Sequence, residues 1–126
     1  MKRIAIALQV LLGLIFIFSG SNGFFNYMPM PPLPEPAANF MGALVKSGYL
    51  FYMLKTTELT CGILLVSGFF VPLALTILAP VILNIIMFHL FLDPGGITLG
   101  AVVAVIELYL AFYHRQSFRG VLTIRA

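Results

Sequence analysis

Four stretches of mostly apolar residues constrain this chain more than anything else in it. The first runs from Ile4 to about Ser21, "IAIALQVLLGLIFIFSGS", and the others cover about 48–70, 72–91 and 97–114. A helix needs roughly 20 such residues to cross the hydrocarbon of a bilayer. Lipid offers no partner for a backbone amide, so a spanning segment must satisfy its own hydrogen bonds, which a helix does. The expected fold is all-α, a transmembrane four-helix bundle within a single domain over 1–126. Composition agrees: 61% of the 126 residues are hydrophobic and 9% charged, against about half and about a quarter in soluble domains.

The first stretch has a second reading. A basic start, an apolar run and the small residues of "FSGSNG" also fit a cleavable signal peptide, which would leave three spans. With four spans, both termini share a side. Lys2, Arg3, Arg115, Arg119 and Arg125, five of the seven basic residues, lie near those termini. Basic residues mark the cytoplasmic side, so a multi-pass inner-membrane protein with both termini cytoplasmic is expected. Aromatic residues gather where the interfaces fall: Phe24, Phe25, Tyr27, Tyr49 and Phe91 outside, and Phe69, Phe70, Tyr113 and Phe118 inside. A net charge of +3 with its bases at the chain ends suits orientation in a bilayer, not a nucleic-acid patch.

The first outer loop holds five prolines between Pro29 and Pro36, which favour an extended segment. After it, "PAANFMGALVK" is compatible with a short amphipathic helix. Its Phe40, Met41, Leu44 and Val45 either lie on the membrane surface or roof a pocket beneath. The short connections further on make the last three helices antiparallel neighbours.

The polar residues within the spans are the candidate site. An ionisable group inside a membrane is costly and is functional by default. In "LKTTELTCGILLVSGFF", Lys55 and Glu58 stand three apart and can meet on one helical face. In the third span, Pro80 leaves the Thr76 carbonyl without its helical donor and is positioned to kink the helix, and Asn84 follows. His89 is offset from Asn84 by roughly 140° on a straight helix, so a kink or burial all round is needed for both to point inward. In the fourth span, Gly96, Gly100, Ala104 and Ala111 form a small-residue stripe, with Glu107 on it about 20° from Gly100. Small stripes face other helices in membranes. Asn22, Lys55, Glu58, Asn84 and His89 fall in the outer half and Glu107 nearer the middle. They are the candidates for ligand binding or proton relay, in an outer-half polar cavity. A buried network that only holds the helices together is the alternative.

Other chemistries are poorly supplied. Cys61 is the one cysteine, so the chain alone carries no disulfide or dithiol. His89 and His114 belong to opposite ends of their spans, about 30 Å apart, which excludes a shared haem. His89 with Glu58 falls short of the three protein ligands of a catalytic zinc.

The motifs "LLGLIFIFSGSNGFF", "ELTCGILLVSGFFVPLA" and "LAPVILNIIMFHLF" resemble the DoxX family of small four-helix membrane proteins, and the resemblance covers nearly the whole chain. Family members often carry a lysine shortly after the "FSG" element, where this chain has Ser21, Asn22 and Gly23. A lysine contact to the mid-span acid would then come from elsewhere, with Lys55 the candidate. DoxX relatives include subunits of a thiosulfate:quinone oxidoreductase and members of oxidative-stress complexes. The outer-half polar cluster taken with this resemblance gives the first expectation, a redox-associated subunit that binds a quinone or other apolar small molecule, with no intrinsic cofactor. Its partners would be the lipid bilayer and a soluble redox protein or a second copy. A small proton-coupled transporter using Glu58 and Glu107, and a ligand-free scaffold for a partner protein, are the other expectations.

Overall fold

A computed structural model describes residues 2–25 and 33–119. Pro29, Pro31, Pro32, Tyr27 and Arg125, and with them most of the expected proline-rich loop, lie outside the described residues. The described chain is all-helical: α1 (Lys2–Phe25), α2 (Glu35–Lys46), α3 (Leu50–Ser67), α4 (Val71–Phe91) and α5 (Ile97–Tyr113), with short 3-10 turns at Pro94–Gly96 and Arg115–Phe118. Four of the helices have the length and hydropathy to cross a membrane. The bundle packs α1 on α3, α3 on α4, α4 on α5 and α5 back on α1. One end carries α2 and the Pro94–Gly96 turn. The other, the turn end, carries the α3–α4 turn and both ends of the described chain.

Leu12, Phe16, Leu65, Leu75, Leu78 and Leu110 are fully buried between the four long helices. Their opposite faces expose Ile4, Leu83, Val105 and Leu108. That inversion is unfavourable in water and matches a hydrocarbon surround. Leu12 and Phe16 come from α1, so the core as built includes the first span. Phe24, Phe25, Tyr49 and Phe91 at the α2 end, and Phe69 and Phe70 at the turn end, are exposed as interfacial aromatics should be.

The seam between α1 and α3 is the tightest in the bundle, and glycine makes it so. A Cβ on Gly62 would lie 2.7 Å from the Gly13 carbonyl oxygen and 2.8 Å from the Ile17 nitrogen. One on Gly20 would meet the Leu59 nitrogen at 2.7 Å. Close backbone approach of this kind is how helices associate without a hydrophobic driving force. Gln9 closes the seam at the turn end, where its Nε2 donates to the Leu65 carbonyl at 2.9 Å. That carbonyl belongs to the last turn of α3, where helical donors run out.

The connections are short for stated reasons. Gly48 and Gly68 take left-handed backbone angles, φ 85° and 83°, open to glycine at no steric cost. The Ser47 hydroxyl accepts the Leu50 amide at 3.0 Å. α4 continues through Pro80 as one helix.

Candidate functional site

Glu58 sits on the buried face of α3 and is 3% exposed. A carboxylate there is unfavourable unless it is paired and hydrogen-bonded. Two groups meet it. Lys55, one turn earlier on α3, places Nζ 3.3 Å from Glu58 Oε2. Ser19 of α1 donates its hydroxyl to the same oxygen at 3.0 Å. Lys55 Nζ also donates to Ser19 Oγ at 3.3 Å, so the three groups form a closed triangle across the α1–α3 seam. The Phe51 ring lies 5.6 Å from the ammonium.

Gly23 explains how Lys55 gets there. A Cβ on Gly23 would collide with Lys55 Cγ and Cδ. The absence of a side chain lets the lysine stem lie along α1 and carry its charge inward. Gly23 is thus the surface on which the Lys55 stem rests.

The triangle opens into a cavity of about 340 Å³, within the range of roughly 300–1,000 Å³ typical of small-molecule sites. All four long helices contribute to it. Ser19, Lys55, Glu58, Asn84, His89 and Asp93 supply its polar lining. Phe16, Leu54, Ile85, Phe88 and Val103 supply apolar walls. α2 covers it: Phe40, Met41 and Leu44 line the cavity from above, and the Phe40 ring packs 5.6 Å from that of Phe88. Val45, which shares the amphipathic pattern, is exposed and does not line it. Of the two placements open to this helix, the roof is the one adopted.

His89 and Asn84 both line the cavity, although a straight α4 separates them around its axis. His89 packs against Gly96, where a Cβ would lie 2.5 Å from its Cε1, and near Gly100. The small-residue stripe thus faces α4 at its first two positions, Gly96 at the end of the 3-10 turn and Gly100 in α5. His89 Nδ1 lies 3.2 Å from the Asp93 carbonyl oxygen. A carbonyl only accepts, so this contact is a hydrogen bond when Nδ1 carries the proton; Asp93 Oδ2 lies 3.9 Å from the same nitrogen. Asn84 is exposed on the outer surface of α4 and marks the margin where the cavity meets the surrounding lipid.

Two expected members stand apart. Asn22 is half-buried on α1 and does not line this cavity. Glu107, 7% exposed, faces a separate cavity nearer the turn end. One member was not foreseen. Ser19 is a neutral hydroxyl in an apolar run, and its signal is that it lies beside the Gly13, Gly20, Gly23 face that packs on α3.

No curated protein and no solved structure matches the chain. The family model for DoxX matches residues 4–90, which takes in α1 to α4 and the Ser19–Lys55–Glu58 triangle but stops short of α5. The match carries the same identity as the motifs of the first two spans, and the chain belongs to the DoxX family of integral membrane proteins.

Proposed function

We propose that this protein is a redox-associated membrane subunit that binds a quinone, or a similar apolar ring bearing oxygen, in the cavity beneath α2. The observation that carries this reading is the cavity's composition: apolar walls with a few convergent polar groups, the pattern of a small-molecule site. A quinone carbonyl needs a donor, which the Asn84 amide and the Lys55 ammonium provide. A reduced ring needs an acceptor, which the His89 imidazole and Glu58 provide. Glu58 holds or relays the proton, and Lys55 and Ser19 fix its position. The apolar tail leaves the cavity past Asn84 into lipid. On the expected orientation, with both termini cytoplasmic, the site faces outward, where a soluble redox protein or a second copy has access to it.

Calorimetric titration of the purified protein in mild detergent with an isoprenoid quinone tests this. Saturable binding, weakened about two- to tenfold in Asn84→Leu by the loss of a hydrogen bond at the cavity's margin, is expected. An absence of saturable binding removes the proposal.

Proton-coupled transport is the second reading, because Glu58 and Glu107 line separate cavities. Lys55, 3.3 Å from Glu58, repels a cation and weighs against it. Uptake into liposomes that follows a pH gradient would favour transport over quinone binding.

A further inference from the structure

The quinone reading makes no use of the second cavity. This cavity lies between α4 and α5 toward the turn end, has a volume of about 440 Å³, and is lined by Leu75, Thr76, Ala79, Glu107, Phe112 and Arg115 among others. Glu107 lines this cavity, and its buried Oε1 has no hydrogen-bond partner among the described residues. Leaving a buried acceptor unpaired is unfavourable, so an occupant that donates to it is called for. The other two polar side chains of the lining each bond to a backbone carbonyl. Thr76 Oγ1 donates to the Pro72 carbonyl at 2.9 Å. Arg115 folds back along α5, its Nη1 donating to the Phe112 carbonyl at 3.1 Å and its guanidinium lying 4.6 Å from the Phe112 ring centre.

The walls decide what kind of donor fits. A buried water wants two to four polar partners; only Glu107, Thr76 and Arg115 of this lining are polar, and Thr76 Oγ1 and Arg115 Nη1 already bond to backbone carbonyls. An amphiphile with a single polar head suits it better. Charge narrows the head further. Arg115 shares the cavity and opposes a cation, while Glu107 opposes an anion. Thr76, Ala79 and Phe112 are exposed on the outer face of the bundle, so the opening is toward hydrocarbon and the ligand can come from the bilayer.

We propose that this cavity is a second binding site, for a neutral hydroxyl-bearing amphiphile that donates its hydroxyl to Glu107 and lays its hydrocarbon body along Leu75, Ala79 and Phe112. Glu107 and Arg115 lie beyond the residues matched to the family. The site is independent of the quinone reading, and neither stands or falls with the other.

The test uses the full chain in lipid nanodiscs and a dodecanol carrying a diazirine and an alkyne, with its methyl ether as the donor-free control. Irradiation should label the segments 71–80 and 107–118 saturably, and excess plain dodecanol should displace the label. The ether should label about tenfold less, the worth of one hydrogen bond to an acidic group. Glu107→Leu should lose the label, and Glu107→Gln, which keeps a carbonyl acceptor, should retain it. Equal labelling by alcohol and ether overturns the proposal, as does dodecylamine competing better than dodecanol. Absence of saturable labelling would mean a hydrated cavity and would overturn it too. If Glu107→Leu does not fold, the alcohol–ether comparison on the unaltered protein still decides.

Discussion

Replacing Lys55 by methionine isolates the electrostatics of the candidate site. The methionine keeps an apolar stem over Gly23 and removes only the ammonium. At 3.3 Å the attraction between Lys55 and Glu58 is roughly 5 kcal/mol at an effective dielectric of 20 and roughly 1.3 kcal/mol in water. Glu58, 3% exposed, lies near the first limit. The Lys55 side chain is 15% exposed, and the separation exceeds the roughly 2.7–2.9 Å of a tight charge-assisted bond. Both facts move the pair toward the middle. Breaking a buried pair by removing one partner costs about 3–5 kcal/mol, and the lower figure applies here. Lys55→Met should therefore destabilise the protein by about 3 kcal/mol, while Lys55→Met/Glu58→Gln recovers much of the loss because no buried charge is left alone. The assay is unfolding in mixed micelles with increasing dodecyl sulfate, followed by circular dichroism, on wild type, both singles and the double. A coupling of about 2 kcal/mol is expected. Additivity within about 0.5 kcal/mol, the behaviour of independent sites, would refute the triangle as an energetic unit.

The same unfolding assay tests the α1–α3 seam. Gly62→Val should cost about 1–3 kcal/mol through overpacking against backbone that cannot yield, whereas Gly42→Ala in α2, where an added Cβ meets nothing within 4 Å, should stabilise by up to about 1 kcal/mol. Glu107→Leu in ligand-free detergent should raise stability by about 1–3 kcal/mol, because it removes an unpaired buried acceptor; a loss of stability would mean that Glu107 has a partner in the folded state. Cys61 is 1% exposed, so a maleimide should modify it only at the rate of unfolding, and rapid labelling of the native protein would contradict the core packing.

The spans were legible because length and hydropathy are direct requirements of a bilayer. The edges were less so. α1 runs on through Asn22 and Gly23 to Phe25, past the expected end of the apolar stretch at about Ser21. Tertiary contact overrides propensity there, since Gly20 and Gly23 lie against α3. The pairing of Lys55 with Glu58 was visible in their spacing. The third corner of the triangle was not, because Ser19 joins only when two helices are superposed. His89 and Asn84 looked incompatible on one helix, and that reasoning treated the site as a single face of α4. The cavity instead spans the gap between helices, where Gly96 and Gly100 make room for the imidazole and α2 closes the top. Glu107 followed its small-residue stripe toward α4, at a depth nearer the middle than the rest, and that depth puts it outside the cavity beneath α2. It faces a cavity of its own.

The cavity beneath α2 as a ligand site is the central claim. Mass spectrometry of molecules that co-purify with the protein from mild detergent, beside Glu58→Gln prepared in parallel, tests it most directly. A discrete apolar molecule, a quinone foremost, held by the wild type and lost from the variant is the predicted result. Bulk lipid alone in both preparations would contradict it and would leave Lys55, Glu58 and Ser19 as a brace between α1 and α3.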